Sequence, residues 1–252
     1  MRLTVLGCSG SVPGPDSPAS GYLVQGGGTS VVLDLGNGTL GAMQRVLDPF
    51  DLDGVVLSHL HPDHCADVPS LIVYLRYNPA SRRRDALPLH GPSATLERIR
   101  AAYATDVDDR LVTDLSDVLD FRPMDEAFCL GALEVGAVPV DHLCEAYGLR
   151  VRHGGRVLAF SGDTGPCVGL DTLAAGADVL LVEASWPHGD DRPSGVHLSG
   201  QQAGEAAARG GVGRLLLTHV PPWTEPQQML AEARSAYCGP IELVHAGACY
   251  EV

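Results

Sequence analysis

Four potential metal donors crowd into six residues of the stretch "VVLSHLHPDHCAD": His59, His61, Asp63 and His64. Imidazole nitrogens and carboxylate oxygens are the donors that zinc and manganese take from proteins. The cluster follows Val55, Val56 and Leu57, an apolar block that reads as a buried strand from Val55 to Ser58. In extended backbone, residues two apart project to the same side, so His59 and His61 can reach one ion together. Pro62 turns the chain and sends Asp63 and His64 toward a second position nearby. Histidines that merely pack at a helix start do not account for so dense a pattern.

One such patch cannot complete two metal sites, and three further residues are placed to help. His142 in "VPVDHLCEAYGLRV", Asp163 in "LAFSGDTG" and His219 in "RLLLTHVPPW" each lie just past an apolar run. Glycines beside Asp163 permit close backbone approach. Taken singly, each is compatible with an ordinary turn or strand-end residue. Behind the HxHxDH pattern they read as one constellation. Two divalent ions roughly 3.5–4 Å apart lower the pKa of a shared water and clamp the oxygens of a phosphoryl group.

The surrounding elements must bring these strand ends together. "RLTVLG" reads as a first strand, and "YLVQ" with "SVVLDL" as a hairpin. A helix is expected from Thr39 to Leu47, and another over "PSATLERIRAAY" with Ser93 as its cap. Short strands follow at "FCLG", "LEVGAVPV", "YGLRV" and "RVLAFSGD". The last third alternates: helix from Leu170 to Ala175, strand "DVLLVEAS", helix "SGQQAGEAAARG", strand "RLLLTHV", helix "EPQQMLAEARSA", strand "IELVH". Early antiparallel strands and later strand–helix alternation predict two sheets sandwiched between helices.

At 252 residues and 45% apolar, the chain can bury one substantial core, and residues 1–252 are expected to form one domain. Its net charge of −14 disfavours a long polyanionic partner, which calls for a basic face. The basic cluster Arg82 to Arg84 reads as a solvated loop. Seven cysteines, odd in number and without a CxxC pair, read as reduced thiols. With no leader segment at "MRLTVLG" and no run long enough to span a bilayer, a cytoplasmic location is expected.

The order HxHxDH, His, GDT-type Asp, His resembles the metallo-β-lactamase fold, in the phosphodiesterase branch that includes ribonuclease Z. The resemblance covers essentially the whole chain and implies an α/β four-layer αβ/βα sandwich with a dinuclear site at one edge. It implies that His59, His61 and His142 hold one metal and Asp63, His64 and His219 the other, with Asp163 bridging. Zinc is the metal expected, and manganese suits the same donors. "VEASW" and "HLSG" resemble the Glu and His loops that flank the site in this branch, which makes His197 and Glu183 catalytic candidates. His197, protonated, would stabilise the phosphoryl oxygens or protonate the leaving oxygen, and Asp63 could accept a proton from water. Val182 stands where the branch usually has a histidine, so Glu183 remains open between a site partner and a polar strand end. His197 could likewise be a helix-entry residue before Ser199.

The branch contains two substrate classes. Ribonuclease Z carries its tRNA-clamping arm between the residues matching His142 and Asp163, and here that interval is filled by "YGLRV" and "RVLAF". The "THxSxRY" usual near the last histidine is also missing, since this chain reads "THVPPW". "TVLGCSGSVPG", "SGDTG", "VEASW", "VHLSG" and "LLLTHVPPW" together resemble actinobacterial atypical cyclic-nucleotide phosphodiesterases. That resemblance implies hydrolysis of a small phosphodiester, 3′,5′-cyclic AMP foremost, with tRNA disfavoured. Ribonuclease Z-type processing, hydrolysis of other esters and a metal-binding scaffold without turnover are the alternatives. Trp186 and Trp223 read either as core packing or as pocket walls, and a homodimer is left open.

Overall fold

Along "TSVVLDL", Val31 and Leu33 face one way and Val32 the other, and the whole strand is buried. A strand buried on both faces needs cover on both sides. A computed structural model describes residues 1–80, 85–189 and 191–252 and shows how that cover is built. The basic cluster Arg82 to Arg84 lies outside the described residues.

Six strands open the chain: β1 (Arg2–Gly7), β2 (Gly21–Gly26), β3 (Thr29–Leu35), β4 (Gly54–Val56), β5 (Leu87–Gly91) and β6 (Leu119–Pro123). Seven more follow: β7 (Ala127–Leu130), β8 (Leu133–Pro139), β9 (Tyr147–His153), β10 (Arg156–Phe160), β11 (Val179–Glu183), β12 (Arg214–Thr218) and β13 (Ile241–Leu243). The last strand, β14 (Cys249–Glu251), returns beside β1. The first sheet has the order β14-β1-β2-β3-β4-β5-β6 and the second β13-β12-β11-β10-β9-β8-β7.

Eight α-helices accompany them among the described residues: α1 (Thr39–Met43), α2 (Pro62–Cys65), α3 (Val68–Tyr77), α4 (Thr95–Tyr103), α5 (Val107–Val112), α6 (Val168–Ala174), α7 (Gly200–Gly210) and α8 (Pro226–Ala236). The sheets face each other through Leu3, Tyr22 and Val56 on one side and Leu149, Leu158 and Phe160 on the other. Leu71, Ile72 and Ile99 of α3 and α4 cover the outer face of the first sheet. Leu173, Ala203 and Met229 of α6, α7 and α8 cover the second. This is the four-layer αβ/βα sandwich expected of the metallo-β-lactamase fold.

Several elements differ from the sequence reading. The first helix ends at Met43 rather than Leu47, and the strand before the histidine cluster is Gly54–Val56. Ser93 does not cap α4; its N–H and Oγ–H donate to the Glu145 carboxylate, at 3.1 and 2.6 Å. That pair ties the loop after β5 to the loop carrying His142. Helices α3 and α5 and strands β5 and β6 were not foreseen, while Ser199 forms a full capping box with Gln202 at α7. Neither tryptophan is a core residue: Trp186 is half-buried and Trp223 is 69% exposed. All seven cysteines are free, and no helix among the described residues is long and apolar enough to cross a membrane.

Topology gathers the donors. Strands β3, β4 and β5 run parallel in the first sheet, as do β10, β11 and β12 in the second. In open α/β sheets the carboxyl ends of parallel strands are where ligand sites form. Asp34 lies in β3, Glu183 ends β11, and His59, Asp163 and His219 follow β4, β10 and β12.

Candidate metal centre

The sequence-predicted donors converge into two groups. His59, His61, His142 and Asp163 form one, Asp63, His64, Asp163 and His219 the other, with donor atoms in each group within 4.8 Å of one another. In the first, His61 Nδ1 lies 3.0 Å from His59 Nε2 and 3.1 Å from His142 Nε2. In the second, His64 Nε2 and His219 Nε2 are 3.2 Å apart, and Asp63 Oδ2 is 3.2 Å from His219 Nε2. Asp163 belongs to both. Its Oδ2 faces His59 Nε2 at 3.7 Å and His142 Nε2 at 4.0 Å, while Oδ1 faces His64 Nε2 at 3.2 Å and His219 Nε2 at 3.3 Å.

The backbone places Asp163 with little freedom. Gly162 has φ 57°, and a Cβ there would stand 2.9 Å from Ser58 Cβ and 3.0 Å from the Tyr147 carbonyl. Only glycine meets both conditions. His219 itself adopts φ 56°, an uncommon conformation for a residue with a side chain and a mark of a site held in place by its surroundings.

Hydrogen bonds at the far ring nitrogens fix the histidine tautomers. His64 Nδ1–H donates to Asp34 Oδ2 at 2.7 Å. His142 Nδ1–H donates to the Val196 carbonyl at 2.8 Å. Ser58 Oγ–H donates to Asp34 at 2.8 Å, which leaves the Ser58 oxygen to accept from His59 Nδ1–H at 3.1 Å. Ser185 Oγ–H likewise donates to Glu183 Oε2 at 2.6 Å, and its oxygen accepts from His219 Nδ1–H at 2.9 Å. All four Nε2 atoms therefore turn inward, as outer hydrogen bonds arrange them around metals. Asp34, Ser58 and Ser185 were missed in the sequence; the available signals were an aspartate inside the apolar strand "SVVLDL" and the serine of "VEASW".

Electrostatics point the same way. Burial and the neighbouring His64 charge hold His59 well below the usual histidine range. Burial disfavours a charged His64, but Asp163 and Asp34 overcome it and raise that imidazole well above its ordinary value. Burial would also raise Asp163, yet His219, His64 and His59 hold it well below the carboxylate range. A buried carboxylate ringed by imidazoles demands positive charge. Asp163 Oδ1 is buried and faces His64 Nε2 and His219 Nε2 but makes no well-aligned hydrogen bond among the described residues, and a cation would satisfy it.

The chain matches the family model for the beta-lactamase superfamily domain over residues 19–220. It belongs to the metallo-β-lactamase superfamily. The Mycobacterium leprae protein ML1173 is 49% identical over 259 residues, spanning 100% of this chain and 89% of that protein. The ribonuclease Z of Mycolicibacterium gilvum is 30% identical across 99% of this chain and 98% of its own. The crystal structure of the Bacillus subtilis metallo-beta-lactamase fold protein YhfI superposes with a TM-score of 0.87 at 25% identity, covering 99% of each chain. The chain is thus a metallo-hydrolase of the superfamily's ribonuclease Z and phosphodiesterase branch.

The two catalytic candidates outside the donor groups also meet at the centre. Glu183, wholly buried, accepts from His197 Nδ1–H at 3.0 Å and from Thr164 N–H at 2.7 Å through Oε1. Burial opposes charge on His197, but Glu183 and then Asp163 outweigh it and push its pKa up to about 9. Glu183 is thus both a strand end and a partner of His197. His197 leads into α7 and still faces the donor cluster, 3.9 Å from Asp163 Oδ2.

Proposed function

We propose that this chain is a metal-dependent phosphodiesterase that converts a 3′,5′-cyclic nucleotide, cyclic AMP foremost, to the 5′-nucleotide. The observation that carries this reading is the sharing of Asp163 between two donor groups beside a carboxylate-held His197. His59, His61, His142 and Asp163 would hold one divalent ion, and Asp63, His64, His219 and Asp163 the other. The mixed nitrogen and oxygen donors suit zinc and accommodate manganese. When bound, such a pair supplies an activated water and neutralises charge on the phosphoryl oxygens.

The chain's own residues do the remaining work. Asp63, which turns Oδ2 toward His64 and His219, is placed to accept a proton from water. His197 carries its proton at neutral pH and delivers it to the departing O3′. Glu183 keeps that ring aimed by holding its Nδ1.

A small substrate is supported by the segment between His142 and Asp163, where β9 (Tyr147–His153), β10 (Arg156–Phe160) and their tight turn leave only short loops at either end. The similarity to a ribonuclease Z over nearly the whole chain favours the second reading, tRNA 3′ processing. The test is metal-reconstituted protein offered cyclic AMP, bis(p-nitrophenyl) phosphate and precursor tRNA. Formation of 5′-AMP is expected, because a nucleophile in line with O3′ expels that oxygen and leaves phosphate on O5′. A 3′-AMP product overturns the geometry, and efficient site-specific trimming of tRNA overturns the substrate.

A further inference from the structure

A cavity of about 300 Å³ opens beside His197, lined by Trp186, His188, Arg192, Pro193 and Gln202. His197 separates it from the donor cluster. The His197 ring centroid is 5.5 Å from those of His142 and His219, and 5.2 Å from that of Trp186, which meets it edge to face. A substrate oxygen protonated by His197 therefore has room for its organic part on the Trp186 side.

The walls suit a flat, delocalised ring. Trp186 is half-buried, its backbone is bridged to Ser199 and its indole meets His197 edge to face, which places it at one wall. The Arg192 guanidinium stands over that indole at 5.9 Å. Asp191 lies 3.7 Å from Arg192 and offsets its charge, which weakens the case for a second phosphate and leaves the planar faces as the recognition surface. Aromatic and guanidinium planes are what proteins use to stack unpaired bases. The volume sits at the small end of ligand pockets, enough for one nucleoside.

We propose that this cavity is a base-binding subsite that receives the purine or pyrimidine ring of the nucleoside whose ribose bears the leaving oxygen, stacked against Trp186 and Arg192. The inference rests on the phosphodiesterase reading for which end of the substrate enters, and its binding test does not require turnover. Metal-loaded protein would be titrated with adenosine 5′-monophosphate and with ribose 5-phosphate, which lacks the base. Binding of the nucleotide at least about tenfold tighter is expected, within the range that stacking of one base supplies. Trp186→Leu should bring that ratio toward one, and Arg192→Ala should lower it several-fold. In Trp223→Phe protein, Trp186 is the one tryptophan left, and adenosine 5′-monophosphate should quench it saturably while ribose 5-phosphate does not.

Equal affinity for the two ligands in the parent protein overturns the subsite. So does a base preference that survives both substitutions, which would put the base elsewhere. A base preference lost in either variant, found in a protein that does not hydrolyse cyclic nucleotides, upholds the subsite and removes the substrate assignment above.

Discussion

Asp34 Oδ2 lies 2.7 Å from His64 Nδ1, with both residues buried. The same oxygen accepts from Ser58, which receives His59 Nδ1–H. One carboxylate thus orients a histidine in each donor group. Asp34 has φ 57°, a conformation that asparagine also tolerates. Asp34→Asn therefore keeps the backbone and removes the charge. Metal affinity should fall about 10–100-fold, as for other outer partners of metal-bound histidines. Competition with a chelator measures it, and unchanged affinity would show that the tautomers are set by other means.

Removing the shared donor should differ from removing an unshared one. Asp163→Ala takes an oxygen from both groups and is expected to abolish bound metal and activity. His59→Ala strips only the group it shares with His61 and His142, so it should lose metal and turnover while keeping part of the metal content. Elemental analysis of purified proteins decides the matter. Full metal content in the Asp163 variant would end its proposed role between the two groups.

A third expectation concerns stability beneath the site. Tyr22 of β2 and Thr218 of β12 are buried and 2.6 Å apart, oxygen to oxygen, and so join the two sheets. Tyr22→Phe preserves the packing against Phe160 but leaves the Thr218 hydroxyl without that partner. A loss of about 1–3 kcal/mol is expected for an orphaned buried polar group. Urea unfolding of the metal-free protein measures it; no shift in midpoint would mean that Thr218 finds another partner.

The sequence made His59 and His61 legible because local geometry suffices there: the two share one short stretch between β4 and Pro62. Long-range donors were legible for a different reason, since apolar runs ending at His142, Asp163 and His219 mark the strand ends where sites form. Asp34 was obscured because an aspartate within an apolar strand has no local signature; its partners His64 and Ser58 are 30 and 24 positions away. Ser93 shows the converse error. A serine before a helix is a sound local cap, but Glu145, brought in by the fold, competes for its hydroxyl. Trp186 and Trp223 were ambiguous because aromatic character alone does not tell a core from a pocket wall.

The remaining prediction separates two roles for His197. Glu183 holds its ring and favours its proton, so at neutral pH it can donate to a departing oxygen. His197→Ala removes none of the seven proposed metal donors, and metal content should remain at the parent level. Turnover of a cyclic nucleotide should fall roughly 10²–10⁴-fold, the range for a lost general acid. A p-nitrophenolate leaving group needs little protonation, so bis(p-nitrophenyl) phosphate should lose much less. Glu183→Gln keeps the ring but weakens its hold and its charge, and should give a smaller loss with the same substrate bias. Rates for both substrates on metal-verified variants provide the comparison. Equal losses on the two would assign His197 to the non-bridging phosphoryl oxygens, whose charge develops whatever group departs.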